Sequence, residues 1–436
     1  MKALAREQVI ALDKAHVWHP YTAMDEYIAE TTPLVVDHAS GARLFDADGR
    51  AYLDGNASWW CCTLGHNHPR LVRALQSQAE RLSHVSLDGR RTHEGAALLA
   101  NNLVKVAPAG LEHVFFSDNG STSVEVALKM ALQYWAQNGR PERTRFVALD
   151  GAFHGETLGV TALGGIEVFR RPFSAVVMEC LRVPAASDGF ERAFSALEAF
   201  LERDADSIAA VVLEPMVQGA AGMRIYSPEF LKRARELTTK HDVFLVLDEV
   251  FAGYGRTGPM WAGSHASVVP DMMCTAKGFT GGMLPMAATL ATRRIFEGFF
   301  GGSARSFFYG HTFTGNPLGA AVALEVLRVY EEEHVLERAA VKAERISAAF
   351  AELTDLPGVS TTRSLGMIGA LELQGGQGYL ERRGLAVYRE ALRRGAYLRP
   401  LGNVVYIAPA LNIADADLDE LLGIVAESVR AVTTSS

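Results

Sequence analysis

No stretch of this chain approaches the ~20 consecutive apolar residues of a helical membrane span, so no such anchor is expected. Cysteine is scarce, with four in 436 residues. Cys61-Cys62, Cys180 and Cys274 follow neither metal-ligand spacing nor the pattern of a disulfide framework. Four packing thiols, no metal site and a reducing, cytoplasmic setting are the expectation. Basic excess is missing too: 42 Lys+Arg against 50 Asp+Glu leave a formal charge of −8. Nucleic acid is therefore a poor candidate partner, because phosphate binding needs a net basic face. The opening Met1-Lys2-Ala3-Leu4-Ala5-Arg6-Glu7 has neither the apolar core nor the small-residue cleavage site of a secretory signal. The 40 glycines follow no three-residue period. Neither a repeat nor a low-complexity tract is visible before a short Ser/Thr tail.

What is present is ordinary globular material, 49% hydrophobic and 21% charged, in a chain long enough for two or three domains. Short apolar runs alternate with longer helical patterns, which predicts an α/β fold with a mostly parallel sheet. Ile208-Ala209-Ala210-Val211-Val212-Leu213 and Val243-Phe244-Leu245-Val246-Leu247 are continuous rather than alternating. That is the mark of strands with both faces covered by helices. They end in Glu214-Pro215 and Asp248-Glu249, and strand C-terminal ends are where open α/β sheets bind ligands. Residues 44–54 predict a hairpin turning at Asp48-Gly49. The last hundred residues predict a helix near 318–354, strands near 366–373 and 404–408, and a helix near 415–431. A large α/β domain over 65–325 is expected, with a smaller α+β domain assembled from 1–64 and 326–436.

Three motifs carry chemistry. In Ser117-Asp118-Asn119-Gly120-Ser121-Thr122-Ser123-Val124-Glu125 a small polar turn runs into a helix, with Thr122 and Glu125 spaced for a capping box and Glu125–Lys129 for an i,i+4 pair. Free N–H groups at such a helix start favour an anion such as phosphate. Asp248 ends a buried strand. Lys277, in Met272-Met273-Cys274-Thr275-Ala276-Lys277-Gly278, follows a mostly apolar run, where a desolvated amine becomes nucleophilic. An anion cradle, a buried acid and a buried amine together match the needs of pyridoxal 5'-phosphate.

The stretch Val246-Leu247-Asp248-Glu249-Val250-Phe251-Ala252-Gly253-Tyr254-Gly255-Arg256-Thr257-Gly258, followed by Lys277, resembles the class III aminotransferases of fold type I. Within that family the chain is similar to the biotin-pathway branch. The marks are His16-Val17-Trp18-His19-Pro20-Tyr21, Ser58-Trp59-Trp60, Gly65-His66-Asn67-His68-Pro69, Met130-Ala131-Leu132-Gln133-Tyr134-Trp135 and Leu398-Arg399-Pro400-Leu401. The resemblance implies Lys277, Asp248 and Tyr21 as catalytic residues. It implies cofactor contacts at Gly120, Ser121, Phe153, His154, His311 and Thr312, the last two reaching over from the second subunit of a homodimer. Substrate contacts are implied at Tyr21, Trp59, Trp60, Phe153, Lys277, Gly310, Arg399 and Tyr406. Arg399 is the expected carboxylate fork. Arg256 is read as a structural ion-pair partner, and His66 and His68 as structural.

The implied reaction is amination of 8-amino-7-oxononanoate to 7,8-diaminononanoate, with S-adenosylmethionine as donor. Three positions depart from that pattern: Phe153 stands where relatives carry Tyr, and His311 and Thr314 where adenosylmethionine users show Pro and Met. All three look more like a lysine-using subgroup, so lysine is the alternative donor. Other class III ω-aminotransferases usually show Gln-Gly-Glu where this chain has Gln218-Gly219-Ala220. A dinucleotide-dependent oxidoreductase would need a Gly-x-Gly-x-x-Gly between a first strand and helix, and no convincing one is found.

Overall fold

Both continuous apolar runs lie in the middle of a seven-stranded sheet. Its strands, in chain order, are β1 (Leu111–Ser117), β2 (Arg145–Leu149), β3 (Cys180–Val183), β4 (Ile208–Leu213), β5 (Phe244–Asp248), β6 (Met272–Thr275) and β7 (Ala287–Thr292). The spatial order is β1-β7-β6-β5-β4-β2-β3, with β7 antiparallel to both neighbours and every other pairing parallel. The computed structural model describes residues 4–376 and 378–434; Met1-Lys2-Ala3 of the opening segment and Ser435-Ser436 of the tail lie outside them.

Side chains leave a strand alternately on its two sides, so an unbroken apolar run must be covered twice. Val212, Phe244, Val246 and Met272 pack on one face against α1 (Gly120–Gln137), through Val124, Ala127, Leu128 and Trp135. Val211, Leu213, Leu245 and Leu247 pack on the other against Phe194 and Leu197 of one helix and Phe230 and Ala234 of the next. Each fully buried Leu, Val or Phe contributes ~1.5–3 kcal/mol, so this double cover is the main reason the sheet forms. No helix among the described residues is long and apolar enough to cross a membrane.

The chain's ends meet beside this sheet. Arg43–Asp46 and Ala51–Asp54 form the expected hairpin, its turn held by Asp46 Oδ1 accepting from the Asp48 and Arg50 N–H groups. Ala51–Asp54 also pairs in parallel with Ala396–Tyr397 from the far end of the chain. The predicted helix over 318–354 is two helices, Pro317–Glu332 and Val335–Glu352, because His334 between them takes a left-handed φ of 51°. The expected strands are Ile368–Leu373 and Val404–Ile407, and the last helix is Asp415–Thr434. A third strand, Val359–Leu365, was not predicted; its Val-Ser-Thr-Thr-Arg-Ser-Leu run has no apolar core, and only Val359 is buried.

Candidate active site

The C-terminal ends of β4, β5 and β6 open onto a cavity of about 470 Å³. Lys277, Asp248, Gly120, Ser121, Phe153, His154, Tyr21 and Trp60 all line it. Lys277 follows β6 with a left-handed φ of 49°, and its Nζ stands 5.2 Å from the centre of the Trp60 ring. Burial lowers the pKa of its ammonium group, opposed by the nearby negative charge of Asp248 and Glu214. Asp248 is buried at the end of β5, where Oδ1 accepts from the Val250 N–H and Oδ2 lies 2.7 Å from His154 Nδ1. An ionised carboxylate only accepts, so the His154 Nδ1–H donates and fixes the orientation of Asp248.

The helix cap lies three residues earlier than the spacing predicts. Asn119, not Thr122, caps α1: its side chain accepts from the Thr122 N–H while Thr122 Oγ1 accepts from the Asn119 N–H. Glu125 is turned away from Lys129 and accepts from Thr157 Oγ1 and the Val160 N–H; Lys129 lies over the Tyr309 ring instead. The free N–H groups of Gly120 and Ser121 thus begin an 18-residue helix at the cavity wall. The loop carrying Phe153 and His154 presses onto this turn at Gly155, whose φ is 124° and where a Cβ would meet Ser121 Oγ at 2.1 Å. Only glycine permits that approach.

Four consecutive left-handed residues, Ala57 to Trp60 (φ 44–74°), present the tandem tryptophans. Such backbone costs ~1–2 kcal/mol per residue. Asp54 offsets part of it, accepting from the N–H groups of Asn56 and Ser58. Trp60 is buried and donates its indole N–H to Tyr406 Oη at 3.1 Å. Trp59 is 40% exposed and carries the Arg399 guanidinium 4.1 Å above its ring. Tyr21 packs edge-on to Trp59 and donates its hydroxyl to Glu156 at 2.6 Å.

Several predicted residues stand elsewhere. Tyr406 is buried behind Trp60 rather than in the cavity wall, so it positions that ring. Arg399 reaches the region through Trp59 and Tyr379. Gly310, His311 and Thr312 are outside this cavity's lining, on a loop where Thr312 is exposed. Arg256 makes no ion pair among the described residues: it donates to the Pro409 and Met367 carbonyls, and burial lowers its pKa to about 10. His66 and His68 face Asp54 and Glu333. Besides Asp118, two carboxylates at the cavity received no role from the sequence. Glu214 is buried, accepts from the Phe153 and Gly219 N–H groups, and is raised to about 7 by burial. Glu156 is exposed at the rim. The Glu-Pro that closes β4 was a signal for the first; nothing marked the second before Tyr21 was seen to reach it.

The family described as Aminotransferase class-III matches residues 26–429. The chain is 40% identical to the adenosylmethionine-8-amino-7-oxononanoate aminotransferase of Geobacter sulfurreducens, over 97% of each chain. It is 42% identical to the protein of that name from Nitratidesulfovibrio vulgaris, over 97% of this chain and 82% of the relative. The crystal structure of the Methanocaldococcus jannaschii aminotransferase of the same name superposes with a TM-score of 0.94 at 32% identity, covering 98% of this chain and 99% of that one. A thermostable (S)-enantioselective omega-transaminase from Thermomicrobium roseum also gives a TM-score of 0.94, at 29% identity, covering 99% and 100%.

Proposed function

This chain belongs to the class III aminotransferases, and on that premise we propose that it aminates 8-amino-7-oxononanoate to 7,8-diaminononanoate in biotin biosynthesis. The observation that carries the reading is the convergence of Lys277, Asp248 and the Gly120-Ser121 helix start on one cavity, in a chain so similar to relatives of that name. Class III aminotransferases are pyridoxal-phosphate enzymes, and the donor set fits that cofactor. A desolvated amine, a buried acceptor-only carboxylate and a bare helix N-terminus match its aldehyde, its ring nitrogen and its phosphate. When bound, the cofactor supplies an electrophilic carbon and a conjugated ring that takes up electron density.

The chain's own residues do the rest. Lys277, with its pKa lowered, takes the proton from the donor Cα and returns it. Asp248, oriented by His154, holds a proton on the ring nitrogen. Gly120 and Ser121 bind the phosphate, and Phe153 offers an aromatic face. His311 and Thr312 of a second copy complete the phosphate site, with Gly310 at the substrate, so a homodimer is part of the proposal. Tyr21, Trp59 and Trp60 make an apolar trough, backed by Tyr406, and Arg399 takes a substrate carboxylate in a planar fork. The division into a 65–325 cofactor-binding domain and a smaller domain from both ends belongs to the same reading, as does a cytoplasmic location, where thiols stay reduced.

S-adenosylmethionine is the proposed donor, supported by the relatives' names and by the aromatic faces of Trp59 and Phe169 around Tyr21. One observation favours lysine as a second reading. Glu156, held by Tyr21 at the rim, supplies the fixed negative charge that an ε-ammonium group needs. Purified holoenzyme given each donor in parallel with 8-amino-7-oxononanoate tests both. Product from adenosylmethionine alone is expected; product from lysine alone would reassign the donor, and product from neither would remove the acceptor assignment.

A further inference from the structure

The four cysteines are not equivalent packing groups. Cys274 is fully buried, and burial raises the Cys180 thiol to about 11, so both are poor nucleophiles. Cys61 instead lines the cavity that holds Lys277. Its Sγ lies 4.0 Å from that of Cys62, whose own Sγ is 3.7 Å from His66 Nδ1. His66 Nε2 lies 2.9 Å from Asp54 Oδ2. Asp54 accepts from the Nε2–H, which leaves Nδ1 with a free lone pair facing the Cys62 thiol. The arrangement is therefore a cavity-facing thiol, a buried thiol beside it, and a His–Asp pair placed to take a proton from the second.

We propose that Cys61 and Cys62 form a peroxide-reactive dithiol that closes reversibly into a vicinal disulfide and so switches off amino transfer. The hydrogen bond from Cys62 lowers the pKa of the Cys61 thiol against its burial, and the same bond and burial raise that of Cys62, so Cys61 is the thiol that ionises first. In the first step the Cys61 thiolate attacks one peroxide oxygen, the O–O bond breaks, and a sulfenic acid and hydroxide result, the hydroxide becoming water with the proton that Cys61 gave up on ionising. In the second, His66 Nδ1 takes the Cys62 proton, the Cys62 sulfur attacks the Cys61 sulfur, and the S–O bond breaks. The departing hydroxide leaves as water with the proton from His66. Two thiols lose two electrons, and one peroxide becomes two waters.

Closure must bring the sulfurs from 4.0 Å to the ~2.05 Å of a disulfide. That removes the Cys61 thiol from its hydrogen bond to the Ser58 carbonyl, in the left-handed turn that presents Trp59 and Trp60. It also disturbs Gly282, on the far side of the Lys277 loop, where a Cβ would meet Cys62 Sγ at 2.6 Å and Cys61 Sγ at 3.3 Å. Adjacent Cα atoms are about 3.8 Å apart, below the usual disulfide span, so the bridge is strained and readily reduced.

The test treats holoenzyme with hydrogen peroxide, follows activity, and maps the tryptic peptide spanning 51–70 by mass. The expected result is loss of two hydrogens from that peptide in step with loss of activity, both reversed by dithiothreitol. Cys62→Ser should retain basal activity, form no bridge, and accumulate a dimedone-trapped sulfenic acid at Cys61. Cys61→Ser should show neither product. Peroxide inactivation with both thiols still free, or a Cys61→Ser enzyme inactivated as fast as its parent, would overturn the proposal. The mass readout is independent of which donor or acceptor the enzyme uses.

Discussion

At the residue scale, the site depends on what burial does to single ionisable groups. Water is kept from the Lys277 amine, which shifts it toward the neutral, nucleophilic form despite two carboxylates nearby. Lys277→Ala should lower turnover by ~10²–10⁴-fold or more, and abolish borohydride-trapped cofactor, while far-UV circular dichroism stays unchanged. Retained trapping would place the cofactor on another lysine. Arg399 is a different case, for its planar group lies against Trp59 and its charge alone does not explain its place. Arg399→Lys keeps the charge but cannot form the two-bond fork proposed for a substrate carboxylate. The KM of a carboxylate substrate should rise roughly tenfold, ~1.4 kcal/mol, with kcat little changed. An unaltered KM for donor and acceptor would put Arg399 outside the substrate site.

At the element scale, the start of α1 joins stability to binding. The helix begins at Gly120 because Asn119 and Thr122 satisfy each other's backbone N–H groups, which leaves those of Gly120 and Ser121 free for an anion. Asn119→Ala should destabilise the protein by about 1 kcal/mol in urea unfolding. It should also weaken retention of the cofactor during dialysis, because the first turn frays. Stability lost with cofactor retention unchanged would show that the cap does not shape the anion site. The Ala57–Trp60 turn is the opposite case: its backbone is locally unfavourable and is held by Asp54.

At the scale of the whole molecule, buried carboxylates make stability depend on pH. Glu249 is fully enclosed and accepts from the Ala262 and Gly263 N–H groups, yet burial outweighs those bonds and raises it to about 7. The folded state therefore binds this proton more tightly than the unfolded chain does. The contribution is fully present below the unfolded value near 4.5 and is lost as pH rises through about 7. Glu249→Gln cannot titrate. Between pH 5 and pH 8 the variant should lose about 1–3 kcal/mol less unfolding free energy than the parent. Equal losses in urea titrations at the two pH values would contradict the raised value.

Much was legible in the sequence because it depends on local pattern. Two unbroken apolar runs require strands covered on both faces, and they are the central pair β4 and β5. A small polar turn before a helical period marks a helix start, and an apolar approach to Lys277 marks a desolvated amine. Errors arose where local rules competed. His334 divides one helical period into two helices, and the polar strand Val359–Leu365 is recruited by its partner Ile368–Leu373 rather than by its own propensity. What tertiary structure alone decided is which distant residues share a cavity. Tyr21 meets Glu156, Trp60 rests on Tyr406, and His154 holds Asp248, each across a long stretch of chain. It also separated the thiols: Cys61 became a cavity wall and Cys62 the neighbour of His66, although the two are adjacent in sequence. Periodicity records which face of an element is buried. Contacts between elements depend on how those faces pack, and only the folded chain sets that.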